Sequence, residues 1–175
     1  PCLRNGFSHR VLAGVFRRDL KSYGRVEMRA EIIDTGNTRV AAARITINAP
    51  ANRLFDFIAN PKNHPKIDGS NMVRGKAYGP SKLKLNSWFL MRQFRLIPYF
   101  MPNKIVEFEE GKVIAWRNAS PSRWRYEFKP LSDGSTEVTQ YLDCSNTPEK
   151  LAKSELSWVA KAMAKTLLRF KQYFE

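Results

Sequence analysis

Few residues in this chain stand at spacings that chemistry requires. His64 sits in Asn63-His64-Pro65, between Lys62 and Lys66. A lone histidine in a polar loop has no neighbour to tune it as a base, so it reads as surface. Asp56 reads as a helix-surface acid, and Asp68, in Asp68-Gly69-Ser70, as a turn former. Asp143 falls on a late strand. Cys2 and Cys144 are the only cysteines. They sit in no C-x-x-C and beside no histidine cluster, so neither a metal site nor a disulfide framework is expected. There is no G-x-S-x-G, no H-E-x-x-H and no phosphate-binding glycine loop. The pattern aims no pair of titratable groups clearly inward. It therefore assigns no catalytic residue and no cofactor, and it leans away from an enzyme.

What the chain has instead is large apolar side chains on regular faces. Phe89, Met91, Val106, Phe108, Trp116, Trp124, Tyr126 and Phe128 fall at alternating positions, and Trp158 and Met163 fall on a helical stripe. Any one of them could simply fill a core. As a set they exceed what a thin two-layer core needs, so they are expected on or near the wall of an internal cavity. Tyr126 adds a hydroxyl that can orient a polar group. Gln140 shares a face with Val138 and Leu142, and a buried glutamine must hydrogen-bond either a neighbour or a ligand. Residues 92–102 are aromatic and apolar, yet Pro98 and Pro102 argue against a central strand. Ile97, Tyr99, Phe100 and Met101 are therefore expected at a cavity mouth, as a gate or a contact surface.

The elements that must hold these residues are legible from period. Ile45 and Ile47 alternate in a strand that ends at Ala49-Pro50-Ala51. Leu54, Phe55, Phe57 and Ile58 follow helical spacing until Asn60-Pro61. Residues 62–67 read as a second short helix or turn. Strands are expected at 71–76, 82–92, 104–109, 113–118, 123–129 and 136–143, with Asp133-Gly134 marking a hairpin. Thr147-Pro148-Glu149 opens a long helix, with Thr147 as N-cap and Pro148 in the first position. Its apolar stripe runs from Trp158 to Tyr173.

This order, with Arg44–Ala51, Leu54–Pro61, Trp124–Phe128 and Gly134–Thr139 as its clearest parts, resembles the SRPBCC or START-like superfamily. That superfamily includes polyketide cyclase/dehydratase-type proteins. The resemblance covers residues 40–175. It implies an α+β helix-grip fold, in which a curved antiparallel sheet wraps a long C-terminal helix and two short helices follow the first strand. It also implies a cavity for a hydrophobic small molecule, lipid or polyketide-like, and no invariant catalytic residue. Carriage of such a ligand is the expected function. The rivals are a cyclase/dehydratase-type enzyme in the same cavity and a lipid-binding module on an anionic membrane.

The chain has 175 residues and a net charge of +14, which suits one domain and a field that attracts anions. Residues 1–39 read as a basic extension, loosely attached, with a short amphipathic piece around Val11–Phe16. No apolar run approaches the ~20 residues of a membrane span, and the N-terminal stretch has no continuous apolar segment, so no secretory signal is expected. A cytoplasmic location is the expectation. Nucleic acid is not expected as a partner, because alternation sends Trp124 and Tyr126 to the face opposite Arg123 and Arg125, whereas stacking platforms need both on one face. Oligomeric state is left open.

Overall fold

The computed structural model describes residues 29–175. The N-terminal amphipathic piece and Cys2 lie outside the described residues. The strands are β1 (Glu31–Ile33), β2 (Val40–Ile47), β3 (Val73–Tyr78), β4 (Trp88–Phe94), β5 (Pro98–Glu109), β6 (Val113–Asn118), β7 (Arg123–Pro130) and β8 (Thr136–Asp143). The helices are α1 (Ala51–Ile58), α2 (His64–Ile67) and α3 (Glu149–Phe174), with a single 3₁₀ turn at Pro61–Asn63. All strands pair antiparallel in one sheet of order β1-β2-β8-β7-β6-β5-β4-β3. The long helix lies across the inner face, chiefly against β2. This is the α+β helix-grip arrangement. Glu31–Ile33 already belong to the sheet, and Glu31 pairs with Arg44 across the β1–β2 ladder at 2.7 Å.

The β7–β8 hairpin forms as its pattern dictates. Trp124, Tyr126 and Phe128 turn inward, and Gly134 supplies the positive φ (83°) that the tight turn requires. Asp133 Oδ1 accepts from the Ser135 N–H and hydroxyl at 2.9 and 2.6 Å, which fixes that turn. At the other end of the chain, Lys171 Nζ donates to the Thr46 carbonyl at 2.8 Å and latches α3 to β2.

Several local expectations are corrected. Residues 82–87 are not strand. Ser87 N–H donates to the Lys84 carbonyl, Ser87 Oγ accepts from Lys84 N–H, and Asn86 takes a left-handed φ of 66°. Leu83 is buried there by its bond to the Ala59 carbonyl, while Leu85 faces out. Thr147 does not cap α3. Pro148 occupies the N-cap position, and the Thr147 hydroxyl is taken by Ser122 at 3.0 Å.

The 98–102 segment, where the two prolines argue against a central strand, is the start of β5, which lies between β4 and β6. Pro98 is its first residue, and Pro102 pairs with Leu90. The Ile105 N–H donates across to Ser87 on the β4 side. Alternation then points Pro102 the other way, past the end of β6, whose last residue Asn118 pairs with Asn103. No neighbour needs the N–H that proline lacks, so the strand tolerates it.

Candidate ligand-binding cavity

A cavity of about 280 Å³ lies between the inner face of β4–β8, the α1–α2 corner and the middle of α3. Two features shape it. At one end Phe55 from α1 meets Phe108 and Phe128 edge-on, with centroids 5.3 and 5.7 Å apart, and fills the gap between helix and sheet. Beyond it the space between helix and sheet stays open, with Trp124 of the sheet and Trp158 and Met163 of α3 on its walls.

Of the residues expected on the wall, Met91, Trp116, Trp124, Tyr126, Gln140, Trp158 and Met163 line the cavity. Phe89, Phe108 and Phe128 do not. They are core packing, Phe89 standing edge-on to His64 and Trp116. Val106 faces solvent. A β-bulge between Ile105 and Glu107 shifts the phase of β5, so that Ile105 and Phe108 both point inward and Val106 is turned out. At the expected mouth, Tyr99 and Met101 line the cavity, whereas Ile97 and Phe100 are exposed. The strand geometry explains this split: Tyr99, Met101 and Asn103 share one face, and Phe100 lies on the other.

The polar lining is richer than the expectation of no inward titratable pair. His64, Asp68 and Glu155 all line the space, together with Asn103 and Asn118. His64 is buried, not surface. Its Nε2 lies 2.8 Å from the Ile58 carbonyl. A carbonyl can only accept, so Nε2 carries the hydrogen and Nδ1 keeps a lone pair. Burial lowers the imidazole pKa, and the Ile58 contact and the Asp68 charge only partly oppose this. His64 stacks on Trp116 at 5.2 Å, Trp116 on Tyr126 at 5.9 Å, and Tyr126 on Phe128 at 6.2 Å, a continuous aromatic row.

Burial pushes the Tyr126 phenol far above its ordinary range, so it stays protonated. Asp68 is both turn former and lining residue. Its carboxylate accepts from the Ser70 hydroxyl and the Val73 N–H, at 2.7 and 2.8 Å. Glu155 accepts from Ser122 at 2.8 Å, beside the buried Cys144 thiol, whose pKa is raised by burial. Gln140 differs from all of these. Its Oε1 is buried and has no hydrogen-bond partner among the described residues. It pairs directly with Tyr126 across the β7–β8 ladder.

Sequence signals for the missed residues do exist. His64 and Ile67 stand three apart, which puts both on one side of a helical turn. Asn103 continues the alternation of Tyr99 and Met101, and Asn118 that of Trp116. Among the described residues no cluster of histidine, cysteine, aspartate or glutamate is arranged to hold a metal, and no helix is long and apolar enough to cross a membrane.

A family model described as polyketide cyclase/dehydrase and lipid transport matches residues 38–175. The chain belongs to that family. An uncharacterized protein of Mycobacterium tuberculosis, Rv0088, is 35% identical over 118 residues, covering 66% of this chain and 52% of the relative. The chain thus spans about half the length of the curated relatives it matches. Protein NE0264 from Nitrosomonas europaea superposes with a TM-score of 0.62 at 15% identity, over 80% of this chain and 95% of the other. Protein Ms6760 from Mycobacterium smegmatis gives 0.62 at 12% identity, over 84% and 97%. At such identities the superpositions establish a shared fold alone. The family supports hydrophobic-ligand binding in general.

Proposed function

We propose that this protein binds and carries one small amphipathic molecule, largely apolar and bearing at least one hydrogen-bond donor. The observation that carries this reading is Gln140. A buried amide oxygen without a partner costs about 1–3 kcal/mol. Gln140 itself lines a cavity walled by Trp116, Trp124, Tyr126 and Met163, and a turn of its buried amide would present Oε1 to that space. A ligand hydroxyl or N–H at that point would remove the penalty, while the aromatic row accepts a ring or chain. The volume of about 280 Å³ falls just below the usual range for small-molecule sites, about 300–1,000 Å³. It suits a compact ring system or one short chain rather than a two-chain lipid.

Native mass spectrometry of freshly purified protein tests the reading. A stoichiometric co-purified small molecule that Gln140→Leu releases would support it. Protein that leaves the column empty, and that fails to enhance the fluorescence of an anilinonaphthalene sulfonate probe, would sink it.

A second reading is proton-transfer chemistry of the cyclase or dehydrase kind in the same cavity. His64 favours it, being a neutral imidazole with a free Nδ1 lone pair. The bound molecule recovered from His64→Gln protein decides this. A molecule identical in mass and in fragmentation to that from wild type removes the chemistry, whereas a difference of one water supports dehydration and an isomer of the same mass supports cyclisation.

A further inference from the structure

The hairpin that forms one wall of the cavity also has an outer face, and that face is unfinished for water. Trp88 and Leu90 project outward from β4, Tyr78 from β3 and Phe100 from β5, all exposed. They form one patch: Tyr78 lies opposite Leu90 in the ladder, and its ring is 6.0 Å from Phe100. At the tip between β4 and β5, Leu96 is 88% exposed and Ile97 70%. Singly exposed apolar residues need no explanation, but a contiguous patch with an aliphatic tip marks a contact surface.

Charge says what it contacts. From Gly69 to Val106 the chain carries seven Lys and Arg and no Asp or Glu. Only Lys82 of these is salt-bridged among the described residues, to Asp56 and Glu110. Arg92 pairs with Phe100 across the hairpin, Lys104 lies over the Trp88 ring at 5.9 Å, and Arg95 stands at the tip. Exposed aromatics at headgroup depth, an aliphatic tip to insert and cations to meet phosphate are the makeup of an interfacial membrane anchor.

We propose that the outer face of β3–β5, with the Leu96–Ile97 tip, docks on an anionic phospholipid bilayer. The inner face of the same hairpin, at Gln93, Tyr99 and Met101, lines the cavity. Docking would therefore bring the cavity mouth to the bilayer surface, where an apolar ligand partitions. The basic face of α3 is a poorer site, because Glu149 and Glu155 are interspersed with its lysines.

Co-sedimentation with vesicles of phosphatidylcholine alone, and of phosphatidylcholine with one quarter phosphatidylglycerol, tests the proposal. Binding is expected only to the anionic vesicles. It should weaken as salt rises and the Debye length falls from about 10 Å at 0.1 M to about 3 Å at 1 M. Leu96→Asp with Ile97→Asp should cut partitioning at least about tenfold. Arg92→Gln with Lys104→Gln should cut it less and flatten the salt dependence. Circular dichroism confirms that both variants fold. Equal binding to neutral vesicles, no binding, an unaltered partition in the Asp variant, or self-association that the Asp variant abolishes would each overturn it. Probe fluorescence in vesicle-free solution reads the cavity separately. A failed docking face therefore leaves ligand carriage standing, and an empty cavity leaves docking standing.

Discussion

The outer face of β6–β8 and the outer face of β3–β5 belong to one sheet, yet they meet water in opposite ways. On the first, Arg125 reaches Glu107, at the far end of β5, through Nε at 2.9 Å and Nη2 at 3.2 Å and also meets Glu127. Tyr141 donates its hydroxyl to Glu127 at 3.0 Å, and Arg123 lies 3.6 Å from Glu107. Ala115, between Arg125 and Glu107 in the ladder, is fully buried beneath them. The second face has exposed aromatics instead, and Arg92, Arg95 and Lys104 beside them make no ion pair among the described residues. Both halves bury apolar side chains on their inner faces, Ala77, Phe89 and Met91 in one and Trp116, Tyr126 and Phe128 in the other. Folding therefore requires only that one side of each strand be apolar, and the outer side is left to serve solubility in one half and contact in the other.

The two regions are joined at a point where the comparison can be broken outright. Gly69, between α2 and β3, lies against α3. Its N–H donates to Thr166 Oγ1 at 2.9 Å, and a Cβ there would stand 2.4 Å from the Thr166 nitrogen and 2.5 Å from the Ala162 oxygen. Those are backbone atoms of a packed helix and cannot give way cheaply. Gly69→Ala should cost about 3 kcal/mol by urea unfolding. A cost below about 1 kcal/mol would mean that α3 is loosely seated over the β3–β5 half.

The ion-paired face should register the next largest effect. Arg125→Ala removes a bidentate pair that is only partly exposed and uncovers Ala115, at a cost of about 1–2 kcal/mol. Arg92→Ala on the other face removes no ion pair found among the described residues and should change stability by less than about 0.5 kcal/mol. Equal losses at the two arginines would erase the distinction between the faces.

Inside the cavity, stability and function should pull apart. Gln140→Leu keeps the size of the side chain and deletes the orphaned oxygen, so the ligand-free protein should gain about 1 kcal/mol. Its affinity for the carried molecule should fall about tenfold, the equivalent of one hydrogen bond. A variant that is less stable when empty would show that Oε1 has a partner after all.

His64 predicts a pH effect of known sign. Burial holds its folded pKa below the unfolded value near 6.5. Above that value neither state is protonated and the group contributes nothing to the slope. As pH falls below it, the unfolded chain takes up a proton that the folded one refuses, and stability drops. Unfolding free energy should decline between pH 7 and pH 5, above the range where carboxylates titrate, and His64→Gln should flatten the decline. A wild-type curve that is level across this window would place His64 in water.

The fold was legible because its largest elements obey one period throughout. The Trp124-Tyr126-Phe128 alternation survives in three dimensions, as does the stripe from Val159 to Phe170, while its end residues Trp158 and Tyr173 are exposed, and residues 149–174 form the helix their spacing implies. The cavity was legible only where the phase was unbroken. A single extra residue at Ile105–Glu107 reversed the reading of Val106, and no local pattern announces a bulge that the partner strand decides. Pro102 misled for a related reason. Its missing N–H matters only if a neighbouring strand extends that far, and β6 stops one residue short. His64 was lost because its burial comes from Ile58 and Trp116, six and fifty-two residues away.

The smallest expected effect is also the sharpest test of the comparison. Trp88 is 61% exposed and its ring meets Lys104 at 5.9 Å. An exposed aromatic in contact with one cation contributes little to folding, so Trp88→Ser and Phe100→Ser should each shift stability by no more than about 0.5 kcal/mol. The same substitutions applied inward, such as Trp116→Ser, should be severely destabilising, because that ring is buried between His64, Phe89 and Tyr126. Natural sequences have little reason to keep a tryptophan on a strand where serine folds equally well, unless the ring meets something outside the chain. A loss above about 2 kcal/mol at Trp88 would say otherwise. The ring would then be part of the fold's own packing, and the outer face of β3–β5 would be as finished as the face Arg125 covers.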